Sequence, residues 1–558
     1  MFSFAIIALT VIALPLWIFV CLGQNYRTAR STKLPVLVSP VDPFNPFWIL
    51  MRPYVNPVLA GLPFGLGAFT EYNYLGFMWR DKGFLHSVHG GAYMIATPGQ
   101  NQLIVGDASA CNEIFKSHRS WPKNAAFNEP LNTFGPNVGT SEGDAWQRQR
   151  KITAAAFNER NNSLVWAEAV KQSKQMLASW LMREAVTSTA EDSYLFALHV
   201  LTGAGFGRSY DFNSSLRIPD PGHTMSYREA LKGVMGNIFV TYAIAKFGRL
   251  SFLLPSSGRR VQRAIVEFKT YMRELVDKER SLHSQGEGST VATNLMSSLV
   301  RASLSEARTA SGKSRHGLTD EEFVGNLFIF NVAGHDTTAG TLTYAIGLLA
   351  CYPRWQDWIK SELHEVFGGE EVDEGEYEAA FPLLKRCLAI MYETLRIYAP
   401  LNGIPRCTGT TSKTLALGSD TYTIPENTLV FVNNAAVQTD EQYWGPGRLE
   451  WDPSRWLAPS SSRASGTDEV PVQPPENSYI PWASGPRVCP GKKFSQVEHT
   501  AAIAALFHRH RVYPVVLPSE TKEQGRERVI RALMDSDMAL AMRMNRPEEL
   551  RVRWKKDP

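Results

Sequence analysis

The chain has 558 residues, of which 44% are hydrophobic and 20% charged, and its formal net charge is +4. This length allows one large domain or two smaller ones, and the composition is that of an ordinary globular protein. The small net charge argues against nucleic acid as a partner. The six cysteines are scattered without a CxxC pair, which argues against a disulfide framework or a zinc site and favours a reducing compartment.

The N-terminal residues 1–22 contain no charged side chain. As a helix they would extend about 33 Å, enough to cross a hydrocarbon core of about 30 Å. Arg27, Arg30 and Lys33 follow and would stay in the cytosol by the positive-inside rule. We therefore expect a single transmembrane signal anchor. A cleaved signal peptide is less consistent, because no basic segment precedes the apolar run, and a buried core helix is the third alternative.

Residues 23–60 are expected to link this anchor to a catalytic domain over residues 61–558. Prolines recur between positions 34 and 63, which predicts a stiff, aperiodic connection. Its aromatic and aliphatic residues 47–50 either dip into the bilayer surface or pack on the domain.

The rest of the chain is predicted to be mainly α-helical with small β-sheets, an α+β organisation. Two apolar runs on either side of Pro98-Gly99 predict a hairpin within residues 89–105. An apolar segment over residues 211–255 is expected to form either a mobile roof over a binding cavity or a plain core segment. Helical stretches are predicted at 107–117, 144–157, 166–206, 258–283, 323–351 and 383–398, short strands at 421–424 and 429–434, and a last hairpin within 534–554.

The first candidate site motif is a pair of residues on a basic helix. Trp146 and Arg150 are four positions apart and therefore share one helix face. Their indole N–H and guanidinium can contact one anionic group together. The alternative is a solvated basic face with a packed tryptophan.

The second motif, at residues 333–338 (AGHDTT), lies within a long apolar helix. Gly334 weakens a helix and threonine can return its hydroxyl to the preceding turn, so we expect a local break. Ala333 and Gly334 would leave room for dioxygen against a flat cofactor, while Asp336 and Thr337 would supply an acid and a hydroxyl for proton relay. The alternative is a polar cluster between two shorter helices.

The third motif, Glu393-x-x-Arg396, places opposite charges on one face of a predicted helix. As a surface ion pair it would contribute roughly 0–1 kcal/mol. The pattern is common by chance and gains weight only from its place between the other motifs. The following residues 401–406 should line a cavity.

The fourth motif is a loop around Cys489. Gly485-Pro486 and Pro490-Gly491 predict turns on both sides of the cysteine, and an amphipathic helix begins near Phe494. Free N–H groups and the positive end of that helix favour a thiolate over a thiol. A thiolate held in this way can be an axial ligand of haem iron. A structural cysteine in a turn is the alternative.

This loop resembles the haem-binding loop of the cytochromes P450, F-x-x-G-x-R-x-C-x-G. Gly485, Arg487, Cys489 and Gly491 match, and Trp482 stands at the aromatic position. The other three motifs match W-x-x-x-R, A-G-x-D-T-T and E-x-x-R of the same family, in the same order. The resemblance covers about residues 61–556.

The resemblance implies a P450 fold and a haem-thiolate monooxygenase that uses haem b and O₂. Its electrons would come from NADPH through NADPH–cytochrome P450 reductase, with cytochrome b5 as a second candidate donor. The expected location is the endoplasmic reticulum membrane, with the catalytic domain in the cytosol. The expected substrate is a lipophilic secondary metabolite such as a terpenoid or polyketide. Four residues offer a basic surface to an acidic redox partner: Arg148, Lys151, Lys492 and Lys493.

The resemblance also assigns site residues. It implies haem-propionate contacts for Trp146, Arg150, Arg406 and Arg487, and an aromatic cover of the thiolate by Trp482. Ala333 and Gly334 would face dioxygen, and Asp336 and Thr337 would deliver protons. Glu393 and Arg396 would meet Arg455 and brace the region that carries Cys489; the family often has Glu at the position of Ser454.

Two other functions are compatible with parts of the sequence. Residues 139–143 (GTSEG) match G-x-S-x-G, the motif of a serine hydrolase of α/β type, with Ser141 as nucleophile. Residues 132–138 make a poor strand for such a motif, and we expect Ser141 to cap the following helix instead. A haem-thiolate isomerase or dehydratase is the other alternative, against which the Asp336-Thr337 pair argues.

Overall fold

The computed structural model describes residues 2–212, 219–236, 238–246, 248, 255–284, 294–309, 317–459, 469–538 and 540–557. Helices dominate this part of the chain, as predicted. The helices are α1 (Phe2–Ser31), α2 (Pro46–Ala60), α3 (Phe77–Asp81), α4 (Phe84–His89), α5 (Ala108–Lys116), α6 (Ala125–Asn128), α7 (Gly143–Ala154), α8 (Glu159–Leu181), α9 (Thr189–Val200), α10 (Tyr227–Met235), α11 (Ile238–Lys246), α12 (Ser256–Ser284), α13 (Leu295–Thr309), α14 (Asp320–Cys351), α15 (Pro353–Phe367), α16 (Tyr377–Ala380), α17 (Lys385–Ile397), α18 (Asn434–Gln438), α19 (Glu441–Trp444), α20 (Lys492–Phe507) and α21 (Lys522–Met534).

Small β-sheets flank the helices. The strands are β1 (Val36–Val38), β2 (Ala92–Ala96), β3 (Gln102–Val105), β4 (Gly403–Cys407), β5 (Lys413–Leu417), β6 (Asp420–Ile424), β7 (Leu429–Asn433), β8 (Leu457–Pro459), β9 (Glu469–Pro471), β10 (His510–Pro514), β11 (Ser536–Met538), β12 (Met542–Met544) and β13 (Val552–Lys556). The largest sheet has five strands in the order β1-β2-β3-β7-β4, and the predicted hairpin is its β2–β3 pair. The other described sheets are the two-stranded pairs β10–β13, β11–β12, β5–β6 and β8–β9.

Residues 23–60 belong to the fold, so the prediction of a simple linker is wrong. Strand β1 pairs in parallel with β2, with Val36 opposite Met94. Helix α2 follows, capped by the Asn45 side chain, and begins at Pro46, where a missing N–H costs nothing. The Trp48 indole donates to the carbonyl of Asn73 at 3.1 Å. The proline-rich composition concealed a strand whose partner lies more than 50 residues further along the chain.

Helix α1 covers the predicted anchor and continues beyond it. In the described part of the chain, no helix meets the length and apolarity needed to span a bilayer. The anchor over residues 1–22 stays a prediction.

Helix α14 crosses the main hydrophobic core. Thr319 and Glu322 form a capping box at its start, and it then runs unbroken to Cys351. The local break expected at residues 333–338 is wrong. Thr337 Oγ1 donates to the carbonyl of Ala333 at 2.8 Å within the continuous helix, so the threonine is satisfied without interrupting the backbone ladder.

The predicted roof over residues 211–255 contains α10 and α11, while residues 213–218, 237, 247 and 249–254 lie outside the described residues. Helix α10 is held by a capping box at Ser226 and Glu229, and it buries Ala230, Leu231 and Val234 in the main core. This packing corresponds to the core-segment alternative for α10.

Candidate active site

A cavity between α14 and the loop before α20 brings most of the predicted site residues together. Its walls come from α7, α14, β4 and the loop itself. The predicted residues that line it are Trp146, Arg150, Ala333, Gly334, Thr337, Arg406, Trp482, Arg487 and Cys489. Asp336 is not among the lining residues. Residues separated by more than 340 positions therefore meet at one site.

The cysteine loop has a tight backbone that depends on glycine. Gly485 has φ +67°, and a Cβ there would lie 2.8 Å from the carbonyl oxygen of Phe115. The Cys489 N–H donates to the carbonyl of Trp482 at 3.0 Å, which ties the two ends of the loop together. The Trp482 indole donates to Ser495 Oγ at 3.3 Å. Cys489 is exposed toward the cavity.

The groups around Cys489 act on its thiol in opposite directions, and the expected thiolate stays a prediction. Desolvation by the surrounding protein raises the pKa of the Cys489 thiol, whereas the Gly491 N–H and the Arg150 charge lower it. A bound metal cation would supply further positive charge.

One end of the cavity carries buried cations with unused donors. Arg406 is 3% exposed, and its Nη1 donates to the carbonyl of Pro405. Arg487 Nη2 donates to Glu142 Oε2 at 2.5 Å. Among the described residues, Arg406 Nε and Arg487 Nε and Nη1 are buried without a partner. Such groups are costly unless an acceptor binds them, so this end is suited to an anion.

Trp146 and Arg150 lie on one face of α7, as their spacing predicts, and both line the cavity. The Arg487 guanidinium stacks over the Trp146 ring at 4.4 Å from its centroid. The tryptophan thus orients Arg487, a contact that the spacing on α7 does not predict. The buried Trp146 fits the alternative of a packed tryptophan on a solvated basic face, but Arg150 lines the cavity, which favours the predicted site.

Lys123 belongs to the same cationic end, although no sequence motif marks it. Its ammonium donates to the carbonyl of Gly139. Burial, with the nearby charges of Arg406 and Arg487, lowers the pKa of Lys123 to about 7. Its only sequence signal is a lone lysine in an irregular segment, which carries no functional information.

The acid and the alcohol of the α14 motif lie on different sides of the helix. Thr337 lines the cavity, together with Ala333 and Gly334. Asp336 points away, and its Oδ1 accepts from Arg543 Nη2 at 2.6 Å. Its Oδ2 is buried without a partner among the described residues. Arg543, in β12, is a second residue that sequence reasoning missed, since its partner is 207 positions away.

The predicted brace is present and buried. Glu393 Oε1 and Arg396 Nη2 are 2.7 Å apart, and both side chains are fully inaccessible. Arg455 Nε lies 3.4 Å from Glu393 Oε1, and Trp456 Nε1 donates to Glu393 Oε2 at 3.1 Å. Arg396 also donates to the carbonyls of Gln438, Arg448 and Glu450. The pair is therefore not the surface ion pair considered above.

Two of the four residues of the predicted basic surface form ion pairs with carboxylates of the same chain. Arg148 pairs with Glu322, and Lys151 pairs with Glu306 at 2.8 Å. Lys492 and Lys493 form no ion pair within the described residues. They lie over the rings of Trp482 and Phe381, at 5.3 Å and 4.1 Å from the centroids.

The arrangement of Ser141 does not support a hydrolase. No strand leads directly into it, because the described residues 106–140 contain helices and loops, and its Oγ accepts from Gln149 Nε2 at 3.0 Å. Glu142 occupies the N-cap position of α7 and makes no side-chain cap, so the prediction that Ser141 caps this helix is also wrong. Ser141 instead contributes its carbonyl to Arg487 Nη2 at 3.0 Å.

Comparison with known proteins agrees with this arrangement. The Cytochrome P450 family model matches residues 69–531. A cytochrome P450 monooxygenase of Arthrobotrys oligospora is 29% identical over 95% of this chain and 94% of its own length. The phomenoic acid biosynthesis cluster cytochrome P450 monooxygenase of Leptosphaeria maculans is 28% identical over 89% of this chain and 90% of its own length. A crystal structure of a cytochrome P450 superposes with a TM-score of 0.63 at 18% identity, covering 86% of this chain and 98% of that one.

Proposed function

The chain belongs to the cytochrome P450 family and is a P450 monooxygenase, and we propose that it oxidises a lipophilic secondary metabolite with O₂. The observation that carries this proposal is the cavity that Cys489 lines together with Ala333, Gly334 and Thr337 of α14 and a group of cations. The Leptosphaeria relative, whose name places it in a biosynthetic cluster, supports the class of substrate. A terpenoid or polyketide is the proposed substrate.

Haem b fits the residues present. Cys489 Sγ would bind the haem iron, and the unpaired donors of Arg406 and Arg487 would bind the propionates. Trp146, Arg150 and Lys123 complete this cationic end. When bound, haem supplies the iron centre at which O₂ is activated and the substrate C–H bond is oxidised.

The chain's own residues set the conditions for this chemistry. Cys489 would hold the haem iron as a thiolate and would supply electron density to it. Ala333 and Gly334 leave the cavity wall open, and Thr337 Oγ1 can hold a proton or a water there. Asp336 can collect protons from the other side of α14 and pass them on only when Arg543 releases its carboxylate.

The substrate chamber is largely apolar. Residues of three elements would hold a lipophilic molecule and exclude water: Ile329 and Phe330 of α14, Leu395 of α17 and Ile404 of β4. No charged side chain other than the cationic group named above lines this cavity within the described residues. This distribution favours a neutral substrate over a charged one.

The electron supply and location are also proposals. NADPH–cytochrome P450 reductase is the proposed partner, with cytochrome b5 as a second candidate, and Lys492 and Lys493 beside the cysteine loop support an acidic partner. The uncharged residues 1–22, followed by Arg27 and Arg30, support a single-pass anchor in the endoplasmic reticulum membrane with a cytosolic catalytic domain.

The test is the carbon-monoxide difference spectrum of the reduced, haem-loaded protein. We expect the long-wavelength Soret band of thiolate-ligated haem in the wild type, and its loss in Cys489→Ala. Cys21→Ala is the matched control, because Cys21 lies in α1 and does not line the cavity. A thiolate-type band that survives Cys489→Ala would refute the assignment of the ligand.

Isotopically labelled O₂ separates a monooxygenase from a haem-thiolate isomerase or dehydratase. A monooxygenase transfers one labelled oxygen atom to the product, whereas the other two leave the product unlabelled. The Asp336-Thr337 pair favours the first outcome, since an acid and an alcohol can supply the protons that the reduction of O₂ consumes.

A further inference from the structure

A second cavity of about 460 Å³ lies on the opposite side of α14 from the proposed haem site. Helices α9 and α10 and strand β12 form its other walls. His335, Thr343 and Tyr344 of α14 face this cavity, whereas Ala333 and Thr337 face the first one. The two cavities therefore lie on opposite faces of the same turn of α14.

The second cavity has the lining of a small-molecule site. Its body is apolar, with Leu195, Leu231, Met235, Met542 and Met544 contributing from three elements. Its volume lies within the range of about 300–1,000 Å³ that is usual for ligand pockets. An apolar body with a few polar groups on one side suits an amphipathic ligand.

The polar groups of this cavity are mainly cationic. Arg228 and Lys232 share one carboxylate, Glu191, at 3.9 Å and 3.5 Å. Arg543 pairs with Asp336, and its Nε is buried without a partner in the described residues. The three cationic side chains thus have two carboxylate partners, Glu191 and Asp336. The Nε donor of Arg543 has no hydrogen-bond acceptor among the described residues.

The Arg543 guanidinium is also held in place. It stacks on the Tyr194 ring at 5.2 Å from the centroid, and strand β12 is fixed by its pairing with β11. The neighbouring His335 donates its Nδ1–H to the carbonyl of Asn331 at 2.6 Å, and burial lowers the pKa of this imidazole, so Nε2 is an acceptor. The positioned guanidinium of Arg543 is therefore the group of this cavity that suits a carboxylate.

We propose that this second cavity binds a small amphipathic carboxylate, with its head group on Arg543 and its apolar part between α9, α10 and β12. A cationic ligand would add to the positive charge of the cavity, and a neutral one would not supply a counter-charge to Arg543, whose side chain is 37% exposed. A bound carboxylate competes with Asp336 for Arg543. Binding would therefore release the acid of α14 and change proton delivery to the first cavity, a consequence that rests on the proposed monooxygenase function.

Binding is tested on the full-length, haem-loaded protein with two photoreactive probes. One is a medium-chain fatty acid with a diazirine in its tail, and the other is the alcohol with the same tail. We expect the acid to label peptides of α9, α10 or β12 at concentrations about tenfold lower than the alcohol requires. Equal labelling by both probes, or labelling confined to the first cavity, would overturn the proposal.

Variants separate a specific site from general hydrophobic capture. Arg543→Gln should remove the preference for the acid, and Arg543→Lys should retain part of it, which guards against a mere folding defect. Arg546→Gln is the matched control, because Arg546 is 56% exposed and pairs with Asp535 and Glu549 on the surface. Leu231→Trp should fill the cavity and abolish labelling by both probes. Undiminished labelling of Leu231→Trp would also overturn the proposal.

The coupling is measured separately from binding. With the unlabelled fatty acid bound, we expect a changed ratio of product formed to NADPH consumed, and no such change in Arg543→Gln. Acid-selective labelling without any change in this ratio would retain the binding site and reject the coupling through Asp336. If instead the wild type lacks the thiolate-type band, or its product carries no labelled oxygen, the proposed function is refuted. The result of the photolabelling is independent of that outcome.

Discussion

At the scale of single residues, the cavity end formed by Lys123, Arg406 and Arg487 contains more positive charge than the protein neutralises. Glu142 is the carboxylate that contacts this group: it accepts from Arg487 and from the backbone N–H of Lys123. Burial and this mutual repulsion lower the pKa of Lys123 to about 7 and of Arg406 to about 10. The lowered values indicate that the site requires an anion to become fully charged.

We predict that Lys123 takes up a proton when the apoprotein binds haem. Burial and the charges of Arg406 and Arg487 lower its pKa to about 7, so above about pH 7 Lys123 is largely neutral in the apoprotein, and a propionate would raise the pKa again. The affinity contributed by Lys123 is complete below this pH and falls by up to about tenfold per unit as pH rises above it. Calorimetry of haem binding in buffers of different ionisation enthalpy measures the uptake.

The variant Lys123→Met should therefore bind haem at about pH 8 with up to about one proton less taken up than the wild type. Release of the Cys489 proton on ligation affects both proteins equally and cancels in the comparison. Lys116→Met is the control, because Lys116 is exposed at the end of α5. Equal proton counts for wild type and Lys123→Met would show that this lysine does not meet a propionate.

We predict that Asp336→Asn lowers turnover by about a hundredfold, since a positioned acid contributes about 10²–10⁴. The substrate-induced spectral shift should persist, because Asp336 does not line the first cavity. A larger solvent isotope effect on turnover would identify proton transfer as the affected step. Asp535→Asn provides the comparison on the surface, and similar rates for the two variants would argue against a catalytic role of Asp336.

At the scale of secondary-structure elements, α17 and the segment 438–456 are joined through one buried carboxylate. Glu393 accepts hydrogen bonds from Arg396, Trp456 and the backbone N–H of Asp452. Arg396 in turn holds three backbone carbonyls of the segment. Ser454 is exposed at this point, and its hydroxyl donates to Asp452 at 2.6 Å, so its departure from the family pattern leaves the core of the network intact.

We predict that the two ion pairs of this network differ strongly in their contribution to stability. Glu393→Gln leaves Arg396 buried without its counter-charge, which should cost about 3–5 kcal/mol. Arg455→Gln affects a more exposed partner and should cost about 1 kcal/mol or less. Denaturant unfolding followed by circular dichroism, with haem release recorded in parallel, measures both. Equal costs would mean that Glu393 does not organise the segment.

Sequence patterns predicted the long elements well and the local backbone less well. The end of α14 at Cys351 was predicted correctly, because apolar periodicity is a local signal. The break at residues 333–338 was wrong, because tertiary packing on both faces outweighs the weak helix propensity of glycine and threonine. The proline-rich β1 was missed, since its partner strand is remote in sequence.

At the scale of the whole molecule, the N-terminal segment is part of the main sheet. The Met94 N–H donates to the carbonyl of Pro35 at 2.8 Å, and the Ser39 N–H donates to the carbonyl of Ala96 at 2.9 Å. The Asn25 side chain donates to the carbonyl of Thr97 at 2.8 Å. The end of α1 and β1 therefore cover an edge of β2 that would otherwise be unpaired.

We predict that two N-terminal deletions have different effects on folding. Removing residues 2–21 should leave haem content and thermal unfolding close to those of the full chain, because Leu22 packs on the core beside β2 and Asn25 donates to the carbonyl of Thr97, and both remain. Removing residues 2–45 also removes β1 and should lower the midpoint of thermal unfolding by several degrees. Equal midpoints for the two deletions would show that β1 does not stabilise the fold. Fractionation of the same proteins with membranes tests the proposed anchor.

Local patterns alone determined the helical character, the cysteine loop and the order of the four motifs, because turn residues, caps and periodicity act over a few positions. Which side chains face the cavity was decided by tertiary structure. Lys123 joins Arg406 and Arg487 from an irregular segment, and Asp336 turns to Arg543, 207 positions away. Consecutive residues of a helix point about 100° apart, so a motif in α14 can place Thr337 on one cavity and Asp336 behind it. Only the packing of remote elements determines what each side chain meets.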